Sequence, residues 1–181
     1  QEIKTALLNF TTNGPKTFFI HGNRDFLIGE FFAQETGITL LPDPYTLDIN
    51  NQKVVVSHGD FLCTDDEGYM KFRNEVRTEQ WQSNFIQKDL DERKQIAATL
   101  RADSKAATSI KSNAITDVNP ASVDVFIEEY KPDLFIHGHT HRPDVHDMGS
   151  CKRVVLGDWG SYGWFLTIDG QDFNLEKFSI S

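Results

Sequence analysis

Cysteine is scarce in this chain: Cys63 and Cys151 are the only two in 181 residues. Two thiols cannot build a disulfide scaffold, so a reducing compartment is the expected setting. Basic charge is also short, with 18 Lys and Arg against 27 Asp and Glu, a net of −9. An acidic surface argues against non-specific nucleic-acid binding, which needs cationic side chains to displace counterions. It suits a site that gathers cations. No uncharged apolar run approaches the roughly 18–20 residues of a membrane span. The opening Gln1-Glu2-Ile3-Lys4 lacks an apolar signal core and an initiator methionine, so the chain is expected to begin partway through a larger protein.

The 39% hydrophobic content and 14 phenylalanines can fill one packed core, and the length suits one domain. Residues 3–10 read as an amphipathic helix stopped by Asn13-Gly14-Pro15, and 17–20 as a short strand. A helix is expected over 26–37, burying Phe31, Phe32 and Ala33 and stopping at Gly37, before a strand at 38–41. Residues 45–49 and 53–56 flank Asn50-Asn51 as a hairpin. From 66 to 112 the composition is helical, with no proline and no glycine after Gly68. A helix over 123–130 and strands at 134–136, 154–156 and 164–168 complete the pattern. Short apolar strands alternating with helices predict a layered α/β fold around mixed sheets.

Three strands give way to glycine-containing loops of one character. Ile20 leads into His21-Gly22-Asn23-Arg24-Asp25, Val56 into Ser57-His58-Gly59-Asp60, and Ile136 into His137-Gly138-His139-Thr140-His141-Arg142-Pro143. Five of the six histidines lie there; His146 is the sixth. Loops at the carboxyl ends of strands in an open α/β sheet gather on one edge. Imidazole nitrogens with an amide oxygen suit Mn²⁺, Fe²⁺ or Zn²⁺ better than Ca²⁺. A single His-Gly at a strand end is more often structural; His-x-His can face neighbouring metals from one loop. His21 and His137, each preceding a glycine, read as structural or as supports for ligands. Asp25 and Asp60 either cap the segments after them or bond a ligand histidine.

Gly22-Asn23-Arg24-Asp25, His58 and Gly138-His139-Thr140-His141, in that order, resemble the motifs of the calcineurin-like metallophosphoesterases. Arg24, His58-Gly59-Asp60-x-Leu62-Cys63-Thr64-Asp65-Asp66, Arg101-Ala102-x-Ser104-Lys105 and His139-Thr140-His141-Arg142-Pro143 narrow the resemblance to the branch that cleaves UDP-2,3-diacylglucosamine in bacterial lipid A synthesis. It covers nearly the whole chain. It implies hydrolysis of the pyrophosphate bond to UMP and 2,3-diacylglucosamine 1-phosphate at a two-metal site, usually Mn²⁺. Asn23, His58 and His139 match ligands of one metal and His141 a ligand of the other. Two cations generate a nucleophile near neutral pH and stabilise charge during in-line attack on phosphorus. The resemblance makes Asn23 and Arg24 holders of phosphate oxygens, Arg24 through its planar fork. His139 would also help polarise the scissile phosphate.

The family's other ligands, in Asp-x-His and Gly-Asp-x-x-Asp motifs, precede the Gly-Asn-Arg-Asp loop and do not occur here. Only 22 residues precede Asn23, so the expectation is a single domain over 1–181 whose first part is missing. By the resemblance, Asp66, Arg101, Ser104, Thr108 and Lys111 contact substrate, with Thr108 standing where asparagine is common. The last four share one helical face by spacing, which is equally what a merely solvated face shows.

Trp81, Phe85, Ile86, Leu90, Ala97 and Leu100 make an apolar stripe that either packs a helix on the core or, as the resemblance implies, belongs to a helical lid over about 70–112 that shelters acyl chains. Its acids Asp89, Asp91 and Glu92 cancel Lys88, Arg93 and Lys94, so it carries no basic membrane-binding face. The resemblance implies peripheral contact with the cytoplasmic face of the bacterial inner membrane, and no obligate protein partner. The alternatives are another phosphoesterase on the same fold, acting on a nucleotide or phosphoprotein, and a non-catalytic scaffold. Retention of Asn23, His58, His139 and His141 favours a catalyst.

Overall fold

The computed structural model describes residues 1–112 and 115–180; the side chains of residues 108–110 are outside the description. The chain forms two compact units, Gln1–Asp60 with Asp124–Ser181, and Phe61–Val123.

In the first unit, α1 (Glu2–Thr12) and β1 (Phe18–Ile20) precede α2 (Glu30–Thr36) and β2 (Thr39–Leu41), with β1 and β2 paired in parallel. Helix α2 is shorter than the sequence pattern predicts. Residues 23–27 form turns, the Ile28 N–H bonds the Asp25 carbonyl at 2.9 Å, and Gly29 caps the helix in an extended conformation. Phe31 is 73% exposed, not buried. Starting at Glu30, the inward stripe falls on Ala33 and Thr36, which leaves Phe31 outside with the Lys4 ammonium 5.6 Å above its ring. Gly37 ends the helix as expected, in the left-handed region at φ 71.

The main sheet has the order β3-β4-β5-β7-β6, from β3 (Tyr45–Ile49), β4 (Gln52–Ser57), β5 (Leu134–His137), β6 (Asp144–Asp147) and β7 (Lys152–Val155). Strands β4, β5 and β7 are parallel, and antiparallel β3 and β6 form the edges. Asn50 and Asn51, at φ 54 and 62, make the two-residue turn of the predicted β3–β4 hairpin. One sheet face buries Val54, Leu134, Ile136 and Val154 under Leu166, Ile168, Phe173 and Leu175 of the hairpin β8 (Tyr162–Asp169) and β9 (Asp172–Ser179). Each fully buried side chain of this kind contributes about 1.5–3 kcal/mol. The opposite face carries Phe135, packed 4.6 Å from Phe126 of α6 (Pro120–Tyr130).

The second unit is helical. The predicted helical stretch divides into α3 (Glu67–Val76), α4 (Glu79–Ile86) and α5 (Leu90–Ile110). Side-chain caps make the breaks without glycine or proline. Asp66 accepts from the Tyr69 N–H at 2.9 Å, Thr78 from Trp81 at 3.3 Å, and Asp89 from Glu92 at 2.8 Å. Trp81 and Phe85 stack at 5.0 Å, while Ile86 and Leu90 stay 55% and 58% exposed. Lys88–Glu92 and Lys94–Asp91 ion pairs neutralise the surface charges locally. Among the described residues, no helix is long and apolar enough to cross a membrane.

Candidate active site

Strands β4 and β5 run in parallel with Ser57 opposite His137, so the loops after them leave the sheet side by side. The Gly138 N–H donates to the His58 carbonyl across the gap at 3.2 Å. The chain then reverses, with the Thr140 N–H donating to the Gly138 carbonyl at 2.9 Å and His139 between them at φ 68. This is a γ-turn with its central residue at positive φ, the rarer and strained form. Histidine is among the residues that tolerate that region best.

The turn carries His139 back onto His58. Its Nδ1 lies 3.1 Å from His58 Nε2, and the rings meet edge to face at 74°. Two facing lone pairs would repel, so either one ring carries its hydrogen on the facing nitrogen and donates to the other, or a metal ion takes both lone pairs. Both can bond one ion at about 2.1 Å, since their separation is below about twice that length. As nitrogen donors of intermediate softness they suit a first-row divalent metal. Among the described residues no three His, Cys, Asp or Glu side chains gather as a metal site.

The third loop arrives from β1. The Asn23 backbone N–H donates to the same His58 Nε2 at 3.2 Å. A Cβ on Gly22 would lie 3.1 Å from the His58 ring, which is why the closest approach is made by a glycine. Asp25 Oδ1 accepts from the Gly22 N–H at 2.5 Å, and His21 Nε2 donates to the Ile28 carbonyl at 2.6 Å. Both residues therefore hold the turn together. Arg24 is exposed at its tip.

Of the four candidate metal ligands, the structure brings together His58, His139 and the backbone of Asn23. His141, at φ 55, is exposed two residues further on. Between the two histidines Thr140 buries its hydroxyl, with no hydrogen-bond partner among the described residues.

Asp43 is not singled out by the sequence. Asp43 Oδ1 accepts from the Ser57 hydroxyl at 2.6 Å and from the His58 N–H at 3.2 Å, and Ser57 Oγ accepts from the Gly59 N–H at 2.9 Å. Asp-Pro gave no signal of this, because the partners lie 14 and 15 residues away.

The remaining candidates belong to the second unit. Asp66 is buried at the N-cap of α3, and Lys111 donates to both its carboxylate oxygens at 2.7 Å. Arg101 and Ser104 are exposed on α5, and the Thr108 side chain lies outside the described ones. Asp66 and Lys111, 45 residues apart, thus form one unit of opposite charges rather than two independent contacts.

Residues 1–143 match the model of the calcineurin-like phosphoesterases. A UDP-2,3-diacylglucosamine hydrolase of Enterobacter sp. (strain 638) is 45% identical over 181 residues, covering 98% of this chain and 75% of the relative. One of Tolumonas auensis is 44% identical, covering 97% and 73%. A solved archaeal phosphodiesterase has the same fold at a TM-score of 0.50 and 11% identity, over 97% of this chain and 76% of that one. The family model and these relatives, each covering nearly all or most of the chain, show that it belongs to the calcineurin-like phosphoesterases, in the family of the UDP-2,3-diacylglucosamine hydrolases.

Proposed function

We propose that this chain hydrolyses the pyrophosphate bond of UDP-2,3-diacylglucosamine to UMP and 2,3-diacylglucosamine 1-phosphate, as a step of lipid A biosynthesis. The chain is a hydrolase of a family that uses divalent metals. The finer assignment of Mn²⁺, with two ions at the complete site, belongs to the proposal. The observation that carries it is the 3.1 Å approach of His139 Nδ1 to His58 Nε2, in a chain 45% identical to a hydrolase of that substrate.

His58 and His139, with Asn23 beside them and His141 two residues on, would hold the metal. When bound, the cations supply a water nucleophile near neutral pH and neutralise charge building on phosphorus. Arg24, exposed beside Asn23, is suited to grip two phosphate oxygens with its fork. His139 would help polarise the phosphate under attack. In the second unit, Lys111, held by both carboxylate oxygens of Asp66, would meet the anionic substrate, as would Arg101, Ser104 and Thr108. Exposed Ile86 and Leu90 offer apolar surface to acyl chains. The diacylated substrate favours peripheral work at the cytoplasmic face of the inner membrane.

Hydrolysis in ¹⁸O-labelled water tests this directly. The label is expected in UMP, with Mn²⁺ required, and a panel of nucleotide esters and phosphopeptides is expected to turn over far more slowly. Label in the sugar phosphate would reverse the point of attack. Preference for a nucleotide ester or phosphopeptide would favour the other phosphoesterase reading.

A further inference from the structure

A histidine without an expected catalytic role, His137, lies under the loops that carry the metal ligands. It is 1% exposed, and the Arg153 beside it is 9% exposed. Phe135 pairs with Arg153 across the parallel β5–β7 ladder, so Phe135, His137 and Arg153 share one sheet face. The Phe135 ring packs 5.1 Å from the imidazole.

Arg153 Nη1 lies 3.0 Å from His137 Nε2. A guanidinium only donates, so Nε2 accepts and the ring proton sits on Nδ1. From Nδ1, 3.1 Å away, that proton is donated to the Gly138 carbonyl. The same oxygen accepts the Thr140 N–H that closes the γ-turn around His139, while the Gly138 N–H bonds the His58 carbonyl. Gly138 is therefore held at both ends, and its orientation sets where His139 points. The same Nδ1 side of the imidazole also borders the second loop. A Cβ on Gly59, at φ 90, would fall 2.9 Å from His137 Nδ1, so the imidazole is seated against the backbone next to His58.

We infer that His137 and Arg153 are a positioning pair: the Arg153–His137–Gly138 chain holds the strained His139 turn beside the His58 loop at the spacing needed to share a divalent cation. Neither residue is among those assigned to metal or substrate. The inference rests on His58 and His139 being metal ligands, the reading under Proposed function. Side chains that orient metal ligands in this manner typically affect metal affinity by roughly 10- to 100-fold when removed. An interior chosen for packing alone would favour an apolar ring here, without the cost of burying an arginine.

Mn²⁺ binding to the purified protein, followed by electron paramagnetic resonance of the free ion, separates positioning from packing. His137→Phe keeps a ring but cannot donate; His137→Asn loses volume but places an N–H near the position of Nδ1. Expected are a dissociation constant raised roughly 10-fold or more by His137→Phe and within about threefold of wild type in His137→Asn. Binding by the Phe variant as tight as or tighter than by the Asn variant overturns the inference. Should the Phe variant not fold, ring ¹⁵N shifts of the wild type decide, with a proton on Nδ1 expected and one on Nε2 refuting. His58→Ala guards the premise. If it binds Mn²⁺ like wild type, the ligand assignment fails; if it loses Mn²⁺ while the Phe variant does not, only the positioning role fails.

Discussion

Replacing Gly59 with alanine adds one methyl group at a backbone φ of 90, where it would meet the His137 side chain at 2.9, 3.0 and 3.1 Å from Nδ1, Cβ and Cγ. Two costs arise. An L-residue in the left-handed region costs about 1–2 kcal/mol. Forcing a methyl into a packed interior adds about 1–3 kcal/mol, because the ring is tied to Arg153 and Gly138 and cannot swing aside. Gly149 supplies the control: its φ is 79, yet a Cβ there meets nothing within 4 Å. Gly149→Ala should therefore show the backbone cost alone. Both substitutions also stiffen the unfolded chain by about 0.4–1 kcal/mol, which cancels in the comparison. Gly59→Ala is expected to be less stable than Gly149→Ala by about 1–3 kcal/mol, or about 2–12 °C in Tm for a chain of this length. Thermal melts followed by circular dichroism at fixed Mn²⁺ measure it. Equal Tm values would mean that the ring yields freely, and the rigid seat assigned to His137 would be wrong.

His139→Ala and Asn23→Ala should each lower Mn²⁺-dependent turnover by about 100-fold or more while the protein stays folded; near-normal rates in either would remove it from the site. Asp66→Ala and Lys111→Ala should couple in a double-mutant cycle on stability by about 1–3 kcal/mol, since each single change strands a largely buried partner. Additive effects would mean that the 2.7 Å pair is idle in solution. Lys111→Ala should also raise KM more than it lowers kcat, and an unchanged KM would take Lys111 off the substrate. The Lys152 ammonium, bonded to Asp147 at 2.6 Å, lowers that carboxyl below its usual 3.8, helped by the Gly149 N–H. A lowered folded value means stabilisation present above that usual 3.8 and lost as pH falls through the folded value. Asp147→Asn should remove that part of the acid-limb dependence at low salt, and an unaltered acid limb would show that the pair contributes nothing.

The elements legible in the sequence are those whose signals are local. The β3–β4 hairpin was fixed by Asn50-Asn51, the end of α2 by Gly37, and the three strand-end loops by histidine and glycine in short apolar contexts. Strand β6 was not foreseen. Asp144-Val145-His146-Asp147 has almost no apolar content because it is a solvated edge, held by pairing with β7 and by the Asp147–Lys152 contact between registered partners. Strand β9 escaped notice because Lys177 and Glu176 interrupt its alternation near the end. The exposed Phe31 shows the reverse error. Apolar character was read as burial, although one residue's shift in a helix start rotates the buried stripe by about 100°.

The site divides along the same line. Residue type pointed to a first-row metal, since imidazoles and an amide after strands suggest little else in combination. Distance was not legible, because it comes from register. With Ser57 opposite His137, His58 stands opposite Gly138, and His139 would project past it were the chain to continue extended. The γ-turn at His139 cancels that one-residue overshoot and places Nδ1 3.1 Å from His58 Nε2. A one-residue slip of β5 against β4 would put His137 on the opposite sheet face and part it from Gly59 and Arg153. The same register that packs Val54, Leu134 and Ile136 into the core therefore sets the imidazole spacing. Substitutions that loosen this core layer should weaken Mn²⁺ binding even where no ligand is touched.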